Sequence, residues 1–180
     1  MDEIKGLGKL HPYKNITDWD ESDDIFVKFF NKKLCFIFPI KDDYGEEYFE
    51  KNKKDIIEKT EEAILNFLVL NEDDKEKLTK WVYESYIETL RLVDIEPLQV
   101  DRPEDVWKFI TPKDITIKYR EKDKKIYIAV NCECVWEKEH GLYIVFQDGK
   151  RITRVSEYDG HITNADAHNI PDEEDKQLNS

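Results

Sequence analysis

The sequence predicts an α+β protein built on a mainly antiparallel sheet, in the order ββααββββ, with two helices packed on one face of the sheet. Three observations support this fold class. Two strand-like segments come first, and two long segments with helical periodicity follow them. Four segments in which apolar and polar residues alternate come last. Because strands and helices occur in separate blocks and do not alternate, the pattern favours α+β over a doubly wound parallel sheet.

The first two predicted strands occupy residues 25–30 and 34–40. The three polar residues Asn31–Lys33 separate them, which is a spacing typical of a β-hairpin. The second segment is apolar on both faces, so it is predicted to be a buried interior strand and not an edge. Residues 1–24 combine glycines, a proline and an acidic run, and we expect them to form an irregular lead-in.

Two amphipathic helices are predicted in the middle of the chain. From Glu46 onward, apolar residues recur at steps of three and four, and Asp43 with Glu46 resembles a capping box. The polar segment Asn71–Asp74 ends this helix and opens a second one, whose inward stripe runs from Leu78 to Val93. A connection this short makes the two helices roughly antiparallel.

Four strands are predicted to follow. They cover residues 114–120, 126–132, 142–147 and 151–156, where apolar and polar residues alternate. Asp148 and Gly149 lie between the last two strands and predict a two-residue hairpin turn of type I′.

The domain organisation follows from length and from these segments. A chain of 180 residues has the size of one ordinary domain, so residues 1–180 are predicted to form a single domain. Within it we expect the lead-in 1–24, a compact body over 25–163 and a loose acidic tail over 164–180.

Charge restricts the partners that the protein can have. The chain carries 41 acidic and 28 basic residues, which gives a net charge of −13. Such a surface repels phosphate backbones, so nucleic acid is not an expected partner, whereas a basic protein would be attracted. The alternative, that acidity only keeps the protein soluble, stays open. The densest acidic clusters are Asp18–Asp24, Glu72–Asp74 and Asp172–Asp175.

Cysteine usage and hydropathy predict a cytoplasmic location. The first ten residues lack the apolar region of a signal peptide, and no later apolar run is long enough to span a membrane. The three cysteines show no disulfide-scaffold pattern, which fits reduced thiols. We therefore expect no membrane association.

One region concentrates residues that carry chemistry. The candidate binding patch consists of Trp136, Glu137, Glu139, His140, Asp159 and His161, and it lies in the same fifth of the chain as Cys132 and Cys134. Imidazole, thiolate and carboxylate groups are ligands for zinc and iron. The spacing matches no standard metal motif, however, and both thiols point to one face of a strand. We therefore expect no bound metal and no other cofactor; a packed cysteine pair, a buried tryptophan and surface histidines account for the same residues.

The patch also leaves an enzymatic alternative open. Cys134, His140 and His161 could serve a metal-dependent or cysteine-dependent enzyme, because a thiol beside a base is the requirement for nucleophilic catalysis. No orienting signature surrounds these residues, and a buried cysteine is the more common case.

The same region resembles a known family. The segments Cys134–Leu142, Asp148–Gly149 and Asp159–Thr163 follow the pattern C-x-W-E-x-E-H-G-L … D-G … D-G-H-x-T. This pattern resembles a bacterial family of domains of unknown function, over about residues 105–167. The resemblance implies a bacterial cytosolic protein with a β-rich C-terminal module, and it implies no catalytic residues.

Taken together, the acidic charge and the missing catalytic signatures favour a non-catalytic binding protein. Its expected partner is a basic protein, and an immunity-type protein that neutralises a basic toxin is the specific form considered. The alternative is the enzyme that would use Cys134, His140 and His161. The sequence does not predict an oligomeric state.

Overall fold

A computed structural model describes residues 3–14, 16, 18–39, 45–93 and 96–179. Within these residues the strands are β1 (Glu3–Ile4), β2 (Gly8–Pro12), β3 (Asp20–Ser22), β4 (Ile25–Val27), β5 (Lys32–Leu34), β6 (Phe36–Phe38), β7 (Ile110–Arg120), β8 (Lys125–Cys134), β9 (Leu142–Gln147) and β10 (Arg151–Ser156). The α-helices are α1 (Glu46–Leu68), α2 (Lys75–Leu92) and α3 (Asn164–His168). Short 3-10 helices cover Glu72–Asp74, Pro103–Phe109 and Asp172–Glu174. No helix in this part of the chain combines the length and the apolar character needed to cross a membrane.

The strands form one large sheet and one small hairpin. The large sheet has eight strands in the order β1-β2-β3-β6-β7-β8-β9-β10, and β4 pairs only with β5. Strands β6 and β7 run parallel, and every other pair of neighbouring strands in the described residues is antiparallel. The prediction of an α+β protein with a mostly antiparallel sheet is therefore confirmed.

The predicted element order ββααββββ is incomplete at the N-terminus. The segment that we expected to be irregular, residues 1–24, contributes β1, β2 and β3 to the large sheet. Ile4, Leu7 and Leu10 are buried there, and Leu10 pairs with Ser22 across β2 and β3. These strands are only two to five residues long, so alternation is hard to recognise among the glycines and charged residues.

The second predicted strand is divided between two sheets. Leu34 ends β5 in the small hairpin, and Phe36–Phe38 form β6 in the large sheet. All three residues of β6 are buried, and β6 lies between β3 and β7. The prediction of a buried interior strand is confirmed for Phe36–Phe38.

The two long helices agree with the prediction in position. Helix α1 begins at Glu46 after Gly45, while Asp43 of the expected capping box lies outside the described residues. The buried residues of α2 are Thr79, Val82 and Tyr86, of which Val82 belongs to the predicted inward stripe and the other two lie beside it.

The sheet separates two apolar clusters. On the side that we call the helical face, α1 and α2 join the large cluster, in which the Phe67 ring lies 6.3 Å from Phe36 and 5.1 Å from Phe146. On the other side, which we call the open face, lies a smaller cluster of Tyr127, Ala129, Tyr143, Val145 and Ile162. The prediction that helices pack on one face only is incomplete, because α3 is tied to the open face.

A buried arginine of β7 attaches α3 to the large sheet. Arg120 of β7 is only 4% exposed and forms paired hydrogen bonds with the carboxylates of Asp166 and Asp172, at 2.7 to 2.8 Å. Asp175, which is also buried, accepts hydrogen bonds from the backbone of Ala165 and Leu178. Residues 164–179 are therefore an ordered segment and not the loose acidic tail that we expected. Their acidic side chains satisfy internal donors, which composition alone does not reveal.

The turn between β9 and β10 differs slightly from the predicted one. Asp148 and Gly149 have φ values of +51° and +69°, as a type I′ turn requires. The strands resume with Arg151 opposite Gln147, so the loop contains three residues and not two. The turn packs on α1, where the Asn66 side chain donates a hydrogen bond to the Asp148 carbonyl at 3.1 Å.

Candidate functional site

The aromatic and sulfur members of the C-terminal region belong to the core. Trp136 is buried and packs edge-on against Tyr86 of α2 at 5.5 Å. Cys132 and Cys134 lie on the same face of β8, as predicted, and both join the large cluster of the helical face. Burial raises the pKa of the Cys132 thiol well above its usual range and that of Cys134 to about 11. Neither sulfur is poised to form a thiolate nucleophile near neutral pH.

This burial gives a testable expectation for thiol chemistry. Native protein mixed with a disulfide reagent such as Ellman's reagent should leave Cys132 and Cys134 unmodified, because access and thiolate formation are both suppressed. Cys35 is only partly buried and should react slowly. Unfolded protein should react at all three positions. Fast modification of Cys134 in the native state would contradict the burial described here.

The acidic turn of the patch is held by its own backbone. Glu137 Oε1 accepts hydrogen bonds from the amides of Glu139 at 2.9 Å and His140 at 3.1 Å. The turn closes at Gly141, with φ of +70°, where a Cβ atom would lie 2.3 Å from the Cys132 carbonyl oxygen. Gly141 is therefore required by a close backbone approach. The turn presents the side chains of Glu139 and His140 to solvent.

Asp159 and His161 have a different role. The Asp159 carboxylate binds the guanidinium of Arg154 at 2.5 and 2.8 Å and accepts the His161 amide at 3.0 Å. Arg154 also donates to the His161 carbonyl at 2.9 Å. Burial alone would raise the pKa of Asp159, but the Arg154 hydrogen bonds hold it below its ordinary value. These contacts fold the loop after β10 back over a buried arginine, so the role of Asp159 is structural.

The structure does not assemble the catalytic set that the sequence left open. Within the described residues, the group of His, Cys, Asp and Glu ligand atoms that lie within 4.8 Å of one another is Glu137, His140 and Glu157. Cys134 and His161 are not part of this group. Glu157 follows β10 and was not among the predicted site residues.

A cleft on the open face of the sheet is the main feature that the sequence did not predict. It has a volume of about 780 Å³ and lies over β7, β8 and β9. Its floor is polar, with the Asn131 side-chain amide donating to Asp114 Oδ1 at 2.5 Å and to Thr116 Oγ1 at 3.2 Å. This network holds the Asp114 carboxylate in a fixed orientation.

Aromatic side chains form the walls of the cleft. At one side the Tyr13 and Trp19 rings stack with centroids 5.7 Å apart and an interplanar angle of 29°. At another side Tyr143 and Tyr158 meet edge to face at 5.1 Å. The cleft therefore offers both stacking surfaces and a polar floor, as ligand sites usually do.

The electrostatic environment of the Trp19 wall is acidic. Trp19 lies within the acidic cluster Asp18–Asp24, in which five of the seven residues are acidic. The pKa of the Cys35 thiol is raised first by burial and then by the charges of Asp114, Glu21 and Asp24. The lining also contains lysines, and one of them, Lys113, is neutralised by Glu133 at 2.7 Å.

The predicted patch and the cleft overlap only in part. Glu137, Glu139 and His140 line one end of the cleft, whereas Trp136, Asp159 and His161 lie outside its lining. The missed residues had a weak signal in the sequence. Asp114, Thr116 and Asn131 occupy the polar positions of alternating strands, which equally fit a sheet face in contact with water.

Comparison with known proteins identifies the family. A family model described as a domain of unknown function, DUF6985, matches residues 6–162. The match begins far upstream of the region on which the sequence resemblance rested, and it includes the N-terminal strands that bring Tyr13 and Trp19 to the cleft. No curated protein matches the chain, and no solved structure does either. The matched residues span most of the chain, which therefore belongs to the DUF6985 family.

Proposed function

We propose that this protein is a non-catalytic binding protein that holds a basic segment of a protein partner in the cleft on the open face. The observation that carries the proposal is the position of Trp19, which lines the cleft and lies within the acidic cluster Asp18–Asp24. The carboxylate of Asp114 lies on the floor of the same cleft. Aromatic surface and negative charge thus occur together.

This combination suits an arginine side chain in particular. A guanidinium group stacks on aromatic faces and at the same time donates several hydrogen bonds to a carboxylate. The stacked rings of Tyr13 and Trp19 offer the first contact, and Asp114, already oriented by Asn131, offers the second. A lysine would keep the charge contact but lose the planar stacking.

The non-catalytic part of the proposal rests on the thiols. Cys132 and Cys134 belong to the lining of the cleft, but both side chains are buried in the apolar cluster and their pKa values are raised, so neither is a thiolate nucleophile near neutral pH. The specific form that we propose is an immunity-type protein of the bacterial cytoplasm that neutralises a basic toxin. Support for it comes from the net charge of −13 and from the acidic cluster Asp18–Asp24, which flanks the wall residue Trp19 in sequence.

Removal of the floor carboxylate tests the site. Immobilised wild-type protein should bind a capped peptide of alternating arginine and glycine, measured by biolayer interferometry. Asp114→Asn should weaken binding about tenfold, because a charge-assisted hydrogen bond contributes roughly 1.5–3 kcal/mol. Glu58→Gln removes the same charge from the surface of α1, so it is the matched control and should change affinity little.

Equal weakening in both variants would show that only overall charge attracts the peptide, and would contradict the proposed site. An acidic peptide of the same length should not bind.

Salt gives a second, kinetic expectation. Surface charge acts mainly on the rate of encounter, so raising the salt concentration from about 50 to 500 mM should slow association with a basic partner roughly tenfold. Dissociation should change much less. An association rate that ignores salt would contradict the electrostatic form of the proposal.

A further inference from the structure

We propose that Glu137, His140 and Glu157 bind one divalent transition-metal ion of the zinc class. This is a second binding function, independent of the basic partner proposed above. The three side chains come from two segments, the turn after β8 and the residue that follows β10, and their ligand atoms all lie within 4.8 Å of one another. Two carboxylates and one imidazole are ligands that zinc accepts.

The distances suit coordination with little movement. His140 Nδ1 lies 3.7 Å from Glu137 Oε1. In a tetrahedral zinc site with metal–ligand bonds of about 2.0–2.1 Å, neighbouring ligand atoms lie roughly 3.4 Å apart. Small rotations of the exposed His140 and Glu157 side chains would bring the three ligand atoms to the separations of a tetrahedral site.

Glu137 is held in position before any ion arrives. Its Oε1 atom accepts the backbone amides of Glu139 and His140, at 2.9 and 3.1 Å. Hydrogen bonds to a ligating carboxylate fix its orientation and reduce the entropy lost when a metal binds. Because the same turn carries His140 at the third position after Glu137, one backbone conformation positions two of the three ligands.

The local charge also favours a cation. In the described part of the chain, neither Glu137 nor Glu157 forms an ion pair with a lysine or an arginine, and the His140 imidazole lies 3.7 Å from Glu137 Oε1. Two carboxylates held close together repel each other unless a cation lies between them. An imidazole nitrogen is the commonest side-chain nitrogen ligand for such an ion.

The geometry leaves one coordination position open. Three protein ligands at an exposed site leave a fourth position for water or for a group from a partner. Glu137 and His140 also line one end of the cleft, so the ion would lie at the cleft rim. From the sequence we singled out Glu137 and His140 but expected no metal, because their spacing matches no metal motif and Glu157 is distant in sequence from both.

The experiment is calorimetric titration of chelator-treated, full-length protein with zinc chloride near pH 7. Wild-type protein should bind one equivalent with micromolar affinity. His140→Ala and Glu157→Gln should each weaken binding at least tenfold, while circular dichroism shows an unchanged fold. His161→Ala removes another exposed histidine from the same region and is the matched control, and it should bind as wild type does.

Two further measurements make the assignment specific. Cobalt(II) in place of zinc should give a spectrum without the thiolate-to-metal charge-transfer band, and Cys35→Ser should not change the affinity. The absence of saturable zinc binding to the wild-type protein would overturn the proposal. Unchanged affinity in Glu157→Gln, or an equal loss in His161→Ala, would overturn it as well.

Discussion

Replacement of Gly149 by alanine should destabilise the protein by roughly 3 kcal/mol or more, because two separate penalties coincide. Gly149 has a φ of +69°, which an L-residue with a Cβ adopts at a cost of about 1–2 kcal/mol. In addition, a Cβ atom there would lie 1.9 Å from the backbone carbonyl oxygen of Ala63 in α1. Backbone cannot rotate out of the way as a flexible side chain can, so the turn and the helix must separate. Chemical denaturation measures the change.

Gly160 provides the matched control. Its φ is +85°, but nothing lies within 4 Å of the position of an added Cβ. Gly160→Ala should therefore show only the backbone strain, about 1–2 kcal/mol. Similar losses of stability for Gly149→Ala and Gly160→Ala would contradict the close contact between the β9–β10 turn and α1.

Arg120→Met should cost about 3–5 kcal/mol of unfolding free energy, the range observed when one partner of a buried ion pair is removed. The substitution would leave Asp166 and Asp172 facing each other without their shared cation. Because these contacts hold residues 164–179 against the sheet, that segment should also become sensitive to proteases. Lys122→Met is the control, since Lys122 pairs with Asp172 from an exposed position and should contribute less than about 1 kcal/mol.

The same ion pairs predict how stability depends on pH. Burial would raise the pKa of Asp166, but hydrogen bonds from Arg120 and Thr163 hold it below its ordinary value. Hydrogen bonds from Arg120 and Lys122 likewise lower the pKa of Asp172. With folded-state pKa values below those of the unfolded chain, the unfolded state binds more protons in acid. The stability that these ion pairs give to the folded state is therefore fully present well above the ordinary carboxyl pKa of about 4, and it is lost as the pH falls below that value. Melting temperatures between pH 6 and 2 should fall less steeply in Arg120→Met than in wild-type protein.

The sequence predicts those elements whose pattern is long. Helix α1 and the strands from β7 to β10 extend over enough residues for their periodicity to be recognised, and β6 is marked by its continuous apolar run. The strands β1 to β3 are too short for such a pattern. The ordered C-terminal segment was missed for another reason: its stability comes from Arg120, which lies more than forty residues earlier in the chain.

The candidate site, too, depends on contacts between distant parts of the chain that no local sequence pattern predicts. The sequence drew attention to the patch around His140, but the turn at Glu137 and the loop at Asp159 lead to different surroundings in the fold. The cleft joins residues from the two ends of the sheet order, with Trp19 near one end and Tyr158 after the last strand. Only pairing of β6 with β3 and β7 brings the N-terminal segment beside the floor residues, and no local pattern encodes that pairing.

The most direct test of the proposed function is a map of amide shifts in isotopically labelled protein titrated with the arginine–glycine peptide. The proposal predicts concentration-dependent shifts at the cleft, around Trp19, Asp114 and Asn131, and much smaller shifts in Asp114→Asn. The acidic surface of α1 around Glu58 should remain unaffected. Shifts that concentrate on α1, or that spread evenly over all acidic surfaces while the cleft residues stay unchanged, would contradict the assignment of the cleft as the binding site.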